Sequence, residues 1–213
     1  MRKGLTSNIE SIIDQVAQLD CVKNYTLCGG TALAIQLGHR ISEDLDFMMW
    51  RISKEEKPEV DWPNIEQEIQ DKIGPIEHRD ILGFDQVMFV LKGVKISFFV
   101  SNNFSPVNER IPYQGNIVLA DIPSVLAMKI EVMLRRMKYR DYYDIYSIVQ
   151  SGFSLKDGIG AAVKYSGFKL STKAATIMLS SNRIATDANF QQMQPIHDVT
   201  VEQMRNYLID KLK

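Results

Sequence analysis

The chain has 213 residues, 45% of them apolar and 24% charged, with a formal net charge of −1 and a pI near 6.3. That composition excludes a largely disordered chain and leaves room for one large core or two modest ones. The charge balance excludes a surface coated in nucleic acid, so a polyanionic partner has to be met by a local basic patch.

The spacing of Ile9, Ile12, Ile13, Val16 and Leu19 predicts a helix over about 8–20, with Thr6 or Ser7 as its N-cap. Val22 to Cys28 reads as a short strand. Gly29-Gly30 then permits a tight turn before Thr31 starts a short helix through Leu37, with Gly38 at its C-cap. Asp44 to Trp50 reads as the next strand, and its period of two sends the carboxylates of Asp44 and Asp46 to one face. A polar excursion over 51–60 leads to a helix from Asp61 to Ile73, ended by Gly74-Pro75. Three short strands follow at Ile76–Leu82, Gln86–Leu91 and Val94–Val100, the last two joined by a hairpin turn at Lys92-Gly93.

Beyond Asp121 the pattern is helical only. Asp121 with Pro123 opens an apolar helix running toward Met137, and a second helix spans Asp141 to Gln150. Further helices are predicted over 155–165, 171–181 and 200–212, the last opened by a Thr200-x-x-Gln203 capping box. The fold class is therefore α+β: an α/β head over 1–117 and an all-helical part over 118–213 packed on it. Cys21 and Cys28 lack the spacing of a zinc site or disulfide framework, which fits a reducing cytoplasm. Residues 1–10 hold no apolar h-region and no window approaches the ~18 apolar residues of a membrane span, so a soluble protein without an export signal is expected.

The order strand, Gly-Gly-Thr, helix, Asp-x-Asp strand carries the chemistry. Backbone N–H groups at a helix N-terminus favour anions, so Gly29, Gly30 and Thr31 stand where phosphates bind. Taken alone, a Gly-Gly before a helix is more often a plain turn. Asp44 and Asp46 offer two hard oxygen ligands on one face, suited to Mg²⁺ and able to bridge two ions. Arg40 can hold a phosphate bidentately, whereas His39 caps the short helix or orders its loop.

The run Gly-Gly-Thr-Ala-Leu-Ala-Ile-Gln-Leu-Gly-His-Arg-Ile-Ser-Glu-Asp-Leu-Asp-Phe, from Gly29 to Phe47, resembles the signature of the AbiEii/AbiGii-type nucleotidyltransferases. These are toxins of abortive-infection and toxin–antitoxin systems in the polymerase-β-like superfamily. The resemblance implies a nucleotidyltransferase that uses an NTP and Mg²⁺, modifies RNA such as the tRNA 3′ end, and is held by a cognate antitoxin. A second match covers Asp121–Lys129 and Arg140–Tyr146, and implies a last active-site motif at Lys129 and at Asp144 or Asp141. There Lys129 would neutralise triphosphate charge, and Asp144, inside its helix, is preferred to Asp141, which suits an N-cap. On an unbroken helix Lys129, Arg136, Arg140 and Asp144 would share an arc of roughly 80°, given a step of ~100° per residue; a break near Tyr139 removes that argument. The cations Arg135, Arg136, Lys138 and Arg140 are either a solvated helix end or a track for an RNA backbone.

One position departs from the family pattern. Where the resemblance implies a third carboxylate on the strand after the hairpin, the chain carries Ser97. Glu77, Asp80 and Asp85 are the nearby substitutes in sequence. The alternatives to an RNA-modifying enzyme are a catalytically silent nucleotide- or partner-binding protein with the same fold, and a transferase acting on a small molecule such as an aminoglycoside or on a protein hydroxyl.

Overall fold

A computed structural model describes residues 3–213; the first two residues of the expected head lie outside that range. In chain order the elements are α1 (Ser7–Val16), β1 (Thr26–Leu27), α2 (Gly29–Leu37), β2 (Asp44–Trp50), α3 (Trp62–Lys72), β3 (His78–Ile81), β4 (Gln86–Leu91), β5 (Val94–Ser101), β6 (Arg110–Gln114) and β7 (Ile117–Ala120). Five helices follow: α4 (Ile122–Val132), α5 (Tyr139–Gln150), α6 (Leu155–Tyr165), α7 (Thr172–Leu179) and α8 (Val201–Leu212). The strands form one mixed sheet in the order β3-β4-β5-β2-β1-β7-β6. β2 runs parallel to β5 and antiparallel to β1, so it lies at the centre with a partner on each edge.

Alternation along β2 decides what lies on each side of the sheet. Leu45 and Phe47 enter a core shared with Ile9, Ile12, Ile13 and Val16 of α1 and with Ile65 and Ile69 of α3. β5 repeats the pattern with Ile96 and Phe98. The Phe98 ring stacks on Phe47 at 5.3 Å and meets Tyr25 edge-on at 5.1 Å, contacts worth about 0.5–1.5 kcal/mol each beyond their buried area. Asp44, Asp46, Lys95 and Ser97 therefore turn to the opposite side of the sheet, where they line a cleft. A second core fills that side, built from Leu126, Ile130, Tyr143, Ile145, Ile159 and Leu208 of the helices together with Cys28, Leu33 and Trp50. The mixed α/β head and the helices after it accord with the α+β expectation.

Several elements differ from their sequence-based expectations. The strand expected over Val22–Cys28 is mostly a 3-10 turn, Cys21–Asn24, with only Thr26–Leu27 left as strand. The carboxylate of Glu68 on α3 accepts from the Cys21 N–H at 2.8 Å and holds that turn. The hairpin of β6 and β7 was not expected; β7 pairs in parallel with β1, so the sheet continues through Ala120, past the boundary set at 117. The apolar helix after Asp121 stops at Val132, and α5 begins at Tyr139 with Lys138, not Asp141, at its N-cap. The single-helix arc argument does not apply. The capping box of Thr200 and Gln203 is present as expected.

Candidate active site

The short strand β1 delivers Gly29 at the start of α2 with φ of +66°, a conformation that favours glycine. The Cys28 N–H donates to the Asp46 carbonyl at 2.8 Å, which fastens this helix start to β2. A Cβ on Gly29 would lie 3.0 Å from Asp46 Oδ2, and one on Gly30 only 2.3 Å from Arg40 Nη2. The two glycines thus leave room for a carboxylate on one side and a guanidinium on the other. The first-turn N–H groups of α2 stand beside Asp46, with the partial positive charge of the helix start behind them.

The Thr31 hydroxyl is committed elsewhere. It is hydrogen-bonded with Ser42 Oγ at 2.8 Å and donates to the Asp44 carbonyl, and the residue is buried. Its side chain splices the start of β2 to α2, which leaves its backbone as its means of meeting a phosphate.

Asp44 and Asp46 face the cleft one above the other on β2. Parallel pairing with β5 sets Lys95 opposite Asp44 and Ser97 opposite Asp46. Lys95 Nζ lies 2.7 Å from Asp44 Oδ2. Ser97, the position at which the family resemblance implies a third strand carboxylate, therefore lies beside Asp46. Burial, reinforced by the charge of Asp44, raises the Asp46 carboxyl above the ordinary carboxylate range, and Lys95 and Lys129 offset part of that rise. Glu77, Asp80 and Asp85 do not substitute. Glu77 accepts from the Lys92 N–H, Asp80 pairs with His78, and none of the three lines the cleft.

From the helical side, α4 brings Lys129 and α5 brings Asp141 and Asp144. Lys129 Nζ lies 2.7 Å from an oxygen of each aspartate. Burial works against its charge, but the two carboxylates outweigh it and hold the ammonium above the usual lysine range. Asp144 is fully buried and lies off the cleft wall. Arg40 clasps it bidentately, Nε to Oδ1 at 2.7 Å and Nη2 to Oδ2 at 2.9 Å. His39 Nε2 meets Oδ1 at 2.7 Å. Burial opposes the Asp144 charge, yet Arg40 and Lys129 keep its carboxyl well below the usual range. The Asp144 carboxylate thus ties Arg40 of the α2–β2 loop to Lys129 of α4. Asp141 holds Lys129 on one side and Arg136 Nε, at 3.0 Å, on the other.

Burial lowers the His39 pKa despite the neighbouring carboxylate, and its Nδ1 is buried without a partner. Burial thus favours the neutral ring, with the Nε2–H donating to the Asp144 carboxylate. A group with a depressed folded pKa contributes stability above its unfolded value and loses it as pH falls. Urea midpoints of the wild type are expected to decline as pH drops below ~6.5, and His39→Gln is expected to flatten that decline. Equal slopes in the two proteins between pH 7.5 and 5 would refute the assignment.

The basic cluster divides. Arg135 pairs with Glu131 at 2.6 Å, Arg136 with Asp141, and Arg140 with Asp187 at 2.6 Å and Glu43 at 3.6 Å. Lys138 forms no ion pair among the described residues. Arg136, Lys138 and Arg140 line the cleft lobe that holds Asp44 and Asp46, and Arg135 lines the adjoining lobe. The lobes have volumes of about 470 and 600 Å³ and share Gly30, Asp44, Asp46, Lys95, Lys129, Arg136 and Asp141. Sequence reasoning missed Lys95, Asp187 and the Ser42–Thr31 bond. Lys95 was within reach of the same alternation that paired Asp44 with Asp46.

Residues 17–195 match the family described as nucleotidyl transferase AbiEii toxin, type IV toxin–antitoxin system. The chain belongs to the AbiEii nucleotidyltransferase toxin family. An uncharacterized protein of Aquifex aeolicus (strain VF5) is 32% identical over 161 residues, spanning 74% of this chain and 73% of that one. Among solved structures, a "putative nucleotidyltransferase" from H. pylori aligns with a TM-score of 0.56 over 96% of this chain and 89% of its own. JHP933 from Helicobacter pylori aligns with a TM-score of 0.54, over 96% and 87%. Both are 18% identical to this chain, and the likeness is one of fold. Among the described residues of this AbiEii-family chain no helix is long and apolar enough to cross a membrane.

The family generally uses an NTP with a divalent metal, and the donor set bears on which metal arrangement fits. Among the described residues no group of three His, Cys, Asp or Glu side chains converges to hold an ion. Asp44 and Asp46 form a two-carboxylate edge. Mg²⁺ is commonly held by one or two carboxylates plus substrate phosphates and water, so the edge fits one ion completed by a nucleotide. With Ser97 neutral, it does not supply the ligands of a second.

Proposed function

We propose that this protein transfers a nucleoside monophosphate from an NTP to a hydroxyl of an RNA acceptor such as a tRNA 3′ end, as the toxin of a bacterial cytoplasmic toxin–antitoxin or abortive-infection pair. The observation that carries the reading is one cleft containing the Asp44–Asp46 edge, the N-terminus of α2 at Gly29-Gly30, and Lys129. The α2 N–H groups receive phosphate oxygens, and Lys129 with Arg136 balances triphosphate charge from the opposite wall. Arg40 meets the cleft behind Gly30 and, through Asp144, fixes Lys129 relative to β2. A divalent cation on Asp44 and Asp46 would supply a Lewis acid at the reacting phosphate. In the transfer, the acceptor oxygen bonds to the α-phosphorus while its bond to the β-bridging oxygen breaks. Pyrophosphate leaves, and the hydroxyl proton passes to solvent.

Arg136, Lys138 and Arg140 on the same cleft support a polyanionic acceptor over a cationic aminoglycoside, which would call for a uniformly acidic wall. The test is label transfer from α-labelled NTPs to total RNA by the wild type and by Asp44→Asn/Asp46→Asn. Labelling of tRNA that vanishes in the double variant is expected, and labelling of equal strength in both sinks the reading. Ser97 favours a second reading, a silent nucleotide-binding protein guarded by the same antitoxin. Tight Mg²⁺-dependent NTP binding by calorimetry, with no labelled product from any RNA fraction, would establish that one.

A further inference from the structure

We propose that the cleft holds a single divalent cation and that the Lys95 ammonium supplies the second positive charge at the carboxylate pair. The inference rests on the nucleotidyltransferase reading and concerns how this chain departs from a site built on three carboxylates.

The strand register places the two departures side by side. Lys95 is opposite Asp44, and Ser97, two residues on and facing the same cleft, is opposite Asp46. Lys95 is bonded to Asp44 at 2.7 Å while both side chains stay accessible, at 41% and 37% exposure, so an incoming phosphate can reach the ammonium. The remaining carboxylates of the cleft wall are already neutralised by cations of the protein. Glu131 is gripped by both terminal nitrogens of Arg135 at 2.6 and 2.8 Å, and Asp141 is shared by Lys129 and Arg136. Glu43 and Asp187 both face Arg140. Asp46 is the one cleft carboxylate with no ion pair among the described residues, so the unmet demand for positive charge is at Asp46.

Charge balance agrees. Two carboxylates, one ammonium and one divalent ion carry the same formal charge as three carboxylates with two divalent ions. The field offered to a triphosphate is thereby preserved with one metal fewer. A lysine suits this place because its ammonium is a compact point charge on a flexible stem, with three donors to share between Asp44 and a phosphate oxygen.

The test counts metal. Mn²⁺ is titrated into the full chain with a non-transferable α,β-methylene NTP analogue, and bound Mn²⁺ is read by electron paramagnetic resonance alongside nucleotide affinity. The wild type is expected to take one Mn²⁺ per bound nucleotide, and Lys95→Met/Ser97→Asp two. Lys95→Met alone is expected to keep a count of one and to bind the Mn²⁺–nucleotide about tenfold more weakly or worse, the loss of one charge-assisted contact. Circular dichroism checks the fold of each variant. Should the buried aspartate prevent folding of the double variant, the wild-type count and the Lys95→Met affinity decide the matter. Two Mn²⁺ in the wild type overturns the one-metal site, undiminished affinity in Lys95→Met overturns the role of its ammonium, and either result leaves the transferase reading standing. A wild type that binds no nucleotide with Mn²⁺ overturns both.

Discussion

Asp144→Ala is expected to lower the stability of the folded chain by about 3–5 kcal/mol, the range found when one partner of a buried ionic cluster is removed. The carboxylate is fully enclosed and neutralises two permanent cations, Arg40 and Lys129, while accepting from His39. Its loss leaves a guanidinium that is itself 4% exposed facing a cavity lined by donors. Lys129 retains Asp141, so the heavier penalty falls on Arg40. Urea unfolding followed through Trp50 and Trp62 fluorescence measures the change. A loss under about 1 kcal/mol would mean that water satisfies the cluster and that the enclosure is not what holds it. The apolar double replacement Arg40→Met/Asp144→Leu separates charge from packing. It is expected to cost less than the sum of its single variants, because removing both partners leaves no buried charge unpaired.

That cluster also marks where sequence reasoning stopped. Local spacing exposed the Gly-Gly turn and the Asp-x-Asp edge, because a helix start and a period-two strand are properties of a few adjacent residues. The bonds from His39 and Arg40 to Asp144 span 105 and 104 residues, and no periodicity reports a contact of that range. Hence Asp144 was read as a member of the last active-site motif, with no sign that its carboxylate would face Arg40 instead of the cleft. Arg40 was read as a phosphate ligand, whereas its fork is spent on Asp144.

The hairpin of β6 and β7 escaped notice for another reason. Pro112 interrupts the alternation, the pairing slips between Pro112 and Gln114, and the turn signal is limited to Gly115-Asn116. Position 97 is the reverse case. The alignment by motif put Ser97 where an acid was wanted, and the strand register places it beside Asp46. A neutral residue beside Asp46 is therefore a property of this chain, and the proposal for Lys95 rests on it.

Asp46→Asn is expected to separate chemistry from stability in the direction opposite to Asp144→Ala. Transfer from an α-labelled NTP to RNA is expected to fall by about a thousandfold or more, equivalent to ~4 kcal/mol of transition-state stabilisation, because the amide cannot hold the divalent ion or answer its charge. Metal-free stability is expected to rise. Burial and the Asp44 charge hold the folded pKa of Asp46 above its unfolded value. A group shifted in that direction stabilises the fold when protonated and loses that contribution as pH rises through the folded pKa. Ionising Asp46 therefore works against folding in the absence of a cation. The melting midpoint of the variant in EDTA is expected to exceed that of the wild type at pH 7, with the gap closing below pH ~4, where both side chains are uncharged. Added Mg²⁺ with nucleotide is expected to raise the wild-type midpoint and leave that of Asp46→Asn nearly unmoved. A variant that melts lower than the wild type in EDTA would place Asp46 among the structural carboxylates with Asp144, and transfer within tenfold of the wild type would remove it from the reaction. A functional carboxylate is stabilised by its ligand; Asp144 already has its cations from the protein itself.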